Sequence, residues 1–315
     1  MGIKLAFMGS ATFALPTLQG LFEKGYEIAG VITQPDKPGG RGQALQAPPV
    51  KKAAFDMHLP TYQPRSLKND ETRALFEALA PDMIVVVAYG KILPPWLLKL
   101  APHGCINLHG SLLPKYRGAA PVHWAIANGE TKTGVCTIRL DEGLDTGPIF
   151  LCEETPIGPE ETVQQLYDRL AVIGRGVMLN TVQGILSGTL QPRPQDNSDV
   201  TLAPILTKEH GFIDWSMAAA EIHNRIRAFN PWPGMVTRFR GGICKILASK
   251  VGEAHPNLEA GMLVAAKHSL AAVCGDSVLL QILSIQPENR KPVSGGDFAN
   301  GARIRAGEKF EPVME

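Results

Sequence analysis

The 315-residue chain has no charge excess of either sign: 31 Lys and Arg stand against 30 Asp and Glu, for a net charge of +1. This balance excludes a polybasic arm or an acidic tail as the organising feature. It leaves a nucleic-acid partner dependent on basic residues gathered on one face. Cysteine is scarce and scattered. The five, Cys105, Cys136, Cys152, Cys244 and Cys274, form no CxxC pair, which argues against a zinc site or a disulfide framework. Most lie in apolar, strand-like runs and read as small core residues. No apolar stretch approaches the roughly 20 residues of a membrane span, so no membrane partner is expected. The run Ile3-Lys4-Leu5-Ala6-Phe7-Met8 is strand-like and lacks the basic region and apolar core of a signal peptide. Ala6 stands where a Met1-Gly2 myristoylation pattern requires Ser or Thr. A cytoplasmic location is expected. A dinucleotide fingerprint is missing as well. Gly9-Ser10-Ala11-Thr12-Phe13-Ala14 is not GxGxxG, and Thr33-Gln34-Pro35 offers no acid after the second strand.

What is present is an ordinary globular composition, 44% hydrophobic and 19% charged, with length for one large domain or two smaller ones. The first half alternates strand and helix. Strands are expected at residues 3–8, 28–33, 83–88, 105–108, 135–140 and 149–152. Helices are expected from Ser10 or Thr12, placed as caps, to about Lys24, and at 51–57, 72–79, 122–127 and 161–182. Residues 34–49 read as one long polar loop. Met83-Ile84-Val85-Val86-Val87-Ala88 is β-branched and apolar throughout, as a central parallel strand should be. The pattern predicts a Rossmann-like α/β domain with a mainly parallel sheet. Residues 190–199 are rich in Pro, Gln, Asn and Asp and read as a linker. One amphipathic helix at 217–229 and short strands at 235–239, 243–249, 261–265, 271–274 and 278–285 then suggest a smaller C-terminal β-barrel. The expected division is 1–187, a linker at 188–207, and 208–315.

The chemistry concentrates in Asn107-Leu108-His109-Gly110-Ser111-Leu112-Leu113-Pro114 and in Leu144-Asp145-Thr146-Gly147. Asn107 and His109 are two apart, so on a strand end they share one face. An amide and an imidazole can together donate to an oxyanion, and a carboxylate can orient or charge the imidazole. No Ser or Cys stands beside the His as a nucleophile. The set therefore suits acyl transfer to a nucleophile supplied by the substrate. The bland alternatives are structural strand-end residues, or His109 as a metal ligand with His103 or His123; those spacings match no standard site, and no metal is expected. Lys37-Pro38-Gly39-Gly40-Arg41-Gly42 is a basic, glycine-rich stretch in a long loop, which is either a solvated connector or a phosphate contact. Arg225-Ile226-Arg227 reads as helix surface. The Trp232 corner, Asn230-Pro231-Trp232-Pro233-Gly234, reads as rigid and packed.

Asn107-x-His109-Gly110-Ser111-Leu112-Leu113-Pro114-x-x-Arg117-Gly118-Ala119-Ala120-Pro121 resembles the core signature of formyltransferases that use 10-formyltetrahydrofolate. Gly143-Leu144-Asp145-Thr146-Gly147 is similar to their acidic segment. These two motifs alone also fit glycinamide ribonucleotide transformylase or a formyltetrahydrofolate hydrolase domain. Gln34-Pro35-Asp36-Lys37-Pro38-x-Gly40-Arg41-Gly42, Val85-Val86-Val87-Ala88-Tyr89-Gly90 and Ile226-Arg227-Ala228-Phe229-Asn230-Pro231-Trp232-Pro233 resemble the methionyl-tRNA formyltransferase family in particular.

The resemblance implies a folate formyl donor, methionine-charged initiator tRNA as acceptor, a monomer, and no metal. It implies catalytic roles for Asn107, His109 and Asp145. It places Ser111, Leu112, Leu113 and Pro114 along the folate, and Val86, Ala88 and Tyr89 near the pterin. Lys37 and Arg41 are implied at the tRNA, and the C-terminal barrel is implied to be OB-like. The rival readings are a formyl hydrolase, a transferase to a small amine or sugar nucleotide, a silent RNA-binding protein and an NAD-dependent oxidoreductase.

Overall fold

A computed structural model describes residues 3–39, 44–255 and 257–313. Its central sheet has seven strands: β1 (Lys4–Gly9), β2 (Glu27–Ile32), β3 (Thr61–Tyr62), β4 (Met83–Val87), β5 (Cys105–His109), β6 (Lys132–Arg139) and β7 (Ile149–Pro156). Their order is β7-β6-β5-β4-β1-β2-β3. The pairs β1–β2, β1–β4, β2–β3 and β4–β5 are parallel, while β5–β6 and β6–β7 are antiparallel. The sheet is thus mainly parallel. Every residue of β4 is buried, the pattern its continuous apolar run demands. From β1 the chain builds outward through β2 and β3, then returns to build the other side through β4 and β5. That reversal opens a crevice at the carboxyl ends of β1 and β4, the usual ligand position in an open α/β sheet. There Ser10 N–H donates to the Ala88 carbonyl (3.3 Å).

The 24-residue helix Val163–Leu186 carries Thr181, whose buried hydroxyl pairs with that of Thr137 on β6 at 2.7 Å. The chain divides into two units, one of Met1–Pro121, Lys132–Pro156 and Leu166–Ala203, the other of Val122–Thr131, Ile157–Gln165 and Pro204–Glu315. Residues 193–203 are hydrogen-bonded into the first unit. Arg193 and Ile149 exchange backbone bonds (2.7 and 2.8 Å), and Leu202–Ala203 pairs in parallel with Arg117–Gly118.

Several local expectations need correction. Cys136 and Cys152 are joined by a disulfide. They face each other in the β6–β7 ladder with Cα atoms 4.1 Å apart, a juxtaposition set by strand register and invisible in a spacing of 16 residues. Ser10 and Thr12 do not cap the first helix; the Ser10 hydroxyl instead accepts the Gln34 N–H at 3.0 Å. The long polar loop contains a hairpin, Lys37–Gly39 with Ala44–Gln46.

In the second unit, Met235–Phe239, Gly242–Ala254, Val278–Pro287, Ser269–Val273 and Leu263–Ala266 form one antiparallel sheet in that spatial order, with Val293–Ser294 added beside Val278–Pro287. Among the described residues no ladder joins the two end strands, so the strands alone close no barrel. Residues 309–311 span the gap instead. Glu311 exchanges two 2.9 Å backbone bonds with Arg238, and Met262 bridges Lys309. Trp215 stacks on Phe310 beneath them (centroids 5.3 Å apart). Arg227, read as surface, is buried. Its guanidinium donates to the carbonyls of Gly158 (3.3 Å) and Glu161 (3.0 Å) and to Asn224 Oδ1. The Asn230–Gly234 corner is tied down by Asn230 Nδ2, which donates to the carbonyls of Ile226, Ile246 and Leu247. Trp232 is not packed into that corner but 53% exposed.

Candidate active site

β5 carries Asn107 and His109 to the carboxyl edge of the sheet. All its residues are buried except Asn107, which is half-buried. Asn107 lies between Val86 of β4 and Ile138 of β6, and His109 lies beside Cys136. Strand alternation sets both side chains on one face. His109 Nε2 is 2.9 Å from the Tyr116 carbonyl oxygen. A carbonyl can only accept, so Nε2 carries a hydrogen and Nδ1 is the nitrogen left for other work. Nδ1 faces Asp145 Oδ2 at 3.6 Å, within ion-pairing range and longer than a hydrogen bond. With Nε2 protonated, a hydrogen on Nδ1 as well makes the ring a cation directed at the carboxylate.

The loops are folded to produce this geometry. Ser111 Oγ donates to the Lys115 carbonyl (2.6 Å) and Lys115 N–H to the Leu112 carbonyl (3.1 Å). That turn brings Tyr116, at φ +61°, under the imidazole. Two residues on, Gly118 N–H donates to Asp145 Oδ2 at 2.9 Å. Tyr116 and Gly118 therefore hold one partner each. Asp145 itself is left-handed at φ +53°, a conformation costing a non-glycine residue about 1 kcal/mol or more and concentrated at functional sites. Asp141 Oδ1 organises the approach to it, accepting Gly143 N–H (3.0 Å) and the Thr146 hydroxyl (2.7 Å). A cleft of about 530 Å³ adjoins Asp145, lined by Arg117, Thr146, Pro148, Gln195 and Asn197 among others.

The remaining expected residues fall in distinct places. Leu112 and Leu113 pack on Cys136, Ile138 and Ile149, and Pro114 follows a cis peptide bond. Ser111 is buried and spent on its loop bond. Val86 and Tyr89 belong to the core cluster with Met8, Phe76 and Leu97. Burial pushes the Tyr89 hydroxyl up to about 12. Of the three residues expected near the pterin, only Ala88, left-handed at φ +46°, is exposed at the crevice. Lys37 is exposed on its hairpin, beside an anchored Asp36 that accepts from Lys51 Nζ (2.9 Å) and Gln63 Nε2 (2.7 Å). Arg41 lies outside the described residues. Sequence reasoning missed the Tyr116 carbonyl and the Gly118 amide because backbone groups leave no trace in residue identity; the glycine at 118 was the available signal.

The chain matches the model of the family "Formyl transferase" over residues 3–182 and of "Formyl transferase, C-terminal domain" over 205–303. It is 47% identical over 300 residues to a methionyl-tRNA formyltransferase of Acidobacterium capsulatum, covering 95% of this chain and 96% of that one. It is 45% identical to one of Solibacter usitatus, covering 98% of each. Among solved structures it is similar in fold to an N-formyltransferase from Helicobacter canadensis in complex with folinic acid and dTDP-3-aminofucose, with a TM-score of 0.66, 20% identity and coverage of 90% of this chain and 99% of that one. It is also similar in fold to HypX from Aquifex aeolicus in complex with tetrahydrofolic acid, with a TM-score of 0.65, 15% identity and coverage of 100% and 51%. With sequence identity above 40% along nearly its whole length, and both formyltransferase domains matched in order, the chain belongs to the methionyl-tRNA formyltransferase family.

Proposed function

We propose that this enzyme transfers the formyl group of 10-formyltetrahydrofolate to the α-amino group of methionine on charged initiator tRNA, acting as a cytoplasmic monomer in translation initiation. The observation that carries the reading is the His109–Asp145 pair on the same sheet edge as Asn107, with each partner held by the 116–118 turn. The donor supplies an electrophilic formyl carbon and an amine leaving group. Asn107 Nδ2 and His109 Nδ1 donate to the formyl oxygen as negative charge gathers on it, each such donor being worth ~10²–10³ in rate. Asp145 keeps His109 oriented, with its carboxylate facing Nδ1. It also accepts the proton released by the attacking amine, directly or through water, for roughly 10²–10⁴ more. The intermediate then collapses by breaking the C–N10 bond, and that proton passes to N10 as tetrahydrofolate leaves. The chemistry calls for no metal and no covalent enzyme intermediate.

Ala88 and the backbone of the β1–β4 crevice suit a flat heterocycle, above the apolar floor that Val86 and Tyr89 provide. The Ser111–Pro114 turn runs along the donor's path, Ser111 contributing through the loop bond that shapes the turn. Lys37 and Arg41 serve the tRNA acceptor end. Residues 1–187 are the catalytic domain, 188–207 the connection, and 208–315 the tRNA-binding domain. The tail bridges across the end strands support an OB-like, barrel-type reading of that last domain. Its grip on the acceptor stem is through the phosphate backbone and weakens with salt.

The test is transfer of labelled formyl from 10-formyltetrahydrofolate to methionine-charged initiator tRNA, with charged elongator tRNA and formate release as controls. Labelling of the initiator alone is expected. Formate release without labelled tRNA would make the protein a hydrolase.

A further inference from the structure

Gln195 lies in the stretch between the two matched family spans, which end at 182 and resume at 205. Its composition reads only as irregular backbone. Its contacts say more. Gln195 Nε2 donates to the Asp145 carbonyl (2.7 Å) and to the Gly147 carbonyl (2.8 Å), using both amide hydrogens. Its Oε1 accepts from Arg117 Nε (3.1 Å) and Nη2 (2.6 Å). Arg117 is buried, and its Nη2 also donates to Asn197 Oδ1 at 2.9 Å. Arg117 stands between the residue whose carbonyl meets His109 and the residue whose amide meets Asp145. The same turn is fixed on its other side by Thr201, whose hydroxyl accepts Tyr116 N–H (2.8 Å) and whose carbonyl accepts Arg117 N–H (2.9 Å).

One side-chain amide thus links the loop that carries the acid to the turn that orients the imidazole. The link acts where it is needed. Asp145 occupies a left-handed backbone conformation that persists only when its surroundings over-determine it. Two N–H donors on the carbonyls of residues 145 and 147 supply that constraint, and the guanidinium locks the amide so that its nitrogen, not its oxygen, faces the loop. A carboxylate at 3.6 Å from its partner is at the length where a small loop shift decides whether the pair forms.

We infer that Gln195, locked by Arg117, is a positioning residue for formyl transfer, setting the Asp145 carboxylate against His109. The inference rests on the role proposed above for Asp145. Gln195→Met removes the donors at similar length. Gln195→Glu also withdraws both N–H groups but keeps an oxygen for Arg117. Both are expected to lower kcat by ~10–100-fold, the scale of a misplacement near 1 Å, with KM for donor and for charged tRNA within about threefold of wild type.

In an Asp145→Asn background, adding Gln195→Met should cost less than about threefold, because the group being positioned is already gone. A kcat within about threefold of wild type in Gln195→Glu overturns the inference, and so does a full repeat of the loss in the Asp145→Asn background. If Gln195→Met does not fold, Gln195→Glu decides by its kcat and KM values. An Asp145→Asn enzyme with near-normal turnover is a separate result: it removes the role of Asp145, whatever Gln195 does.

Discussion

Replacing Asp145 by Asn removes one negative charge while keeping the shape, and the amide oxygen can take over from Oδ2 as the acceptor of Gly118 N–H. The same Oδ2 lies 3.6 Å from His109 Nδ1, and the imidazole is buried, so what the substitution removes is the charge facing the ring. At an effective dielectric near 20, two unit charges at that distance interact by about 5 kcal/mol. If the imidazolium's donation matters chiefly in the transition state, that energy converts to ~10³ in rate at about 1.4 kcal/mol per decade. Loss of the proton acceptor adds to this, so a fall in kcat of at least ~10³ is expected. Donor affinity should be largely retained. The assay is single-turnover transfer of labelled formyl to charged tRNA, with donor binding and thermal melting measured on the same preparation. Turnover within about threefold of wild type would falsify the assignment of Asp145. A rate loss matched by an equal loss of donor affinity would move Asp145 from chemistry to binding.

Gly118 has φ +126°, and a Cβ there would lie 2.6 Å from the Ala203 carbonyl oxygen. Gly118→Ala should therefore destabilise the chain by ~1–3 kcal/mol in a denaturant melt, and an unchanged midpoint would contradict the pairing of 117–118 with 202–203. Under denaturing, non-reducing conditions three of the five cysteines should react with a thiol reagent, because Cys136 and Cys152 are paired while Cys105, Cys244 and Cys274 are free. Five reactive thiols would rule the disulfide out. In the folded protein the three should react slowly at mildly alkaline pH, since burial pushes Cys105 and Cys274 up to about 12 and Cys244 to about 11. Asp36 is held below its ordinary value of 3.8, first by hydrogen bonding to Gln63 and then by Lys51. Its stabilisation is thus complete above that value and is lost as pH falls through the lowered one. Asp36→Asn should flatten the acid limb of melting temperature against pH; an identical limb would show that the cluster does not anchor the hairpin.

The sheet was legible where residue type alone settles the matter. Met83–Val87 is apolar at every position and lies at the centre, and the two-residue spacing of Asn107 and His109 did place them on one strand end. What was not legible depends on register and on backbone. Cys136 meets Cys152 only because β6 and β7 align as they do. The two-residue strands Thr61–Tyr62 and Leu202–Ala203 are too short to show a period. Arg227 sits on an amphipathic helix, where a charge usually marks the wet face; three backbone and side-chain acceptors make its burial tolerable. Trp232 errs the other way, since proline on both sides says rigid and nothing about inward or outward. Gln195 was hidden in a proline-rich run because a glutamine's two donors and one acceptor have no preferred partner until the fold brings carbonyls to them.

The bridges made by residues 309–311 have a consequence for synthesis. A ribosome releases Met235–Phe239 and Leu263–Ala266 well before it releases the residues that cover them. In that interval Phe212 and Ile213 already hold Val236, but the Arg238 backbone and that of Met262 lack their partners, leaving amides and carbonyls on which nascent chains can join edge to edge. Residues 309–311 are therefore the segment that completes the pairing of both end strands. A product cut short before Lys309 would keep the whole catalytic sheet and still expose the backbone groups of Arg238 and Met262.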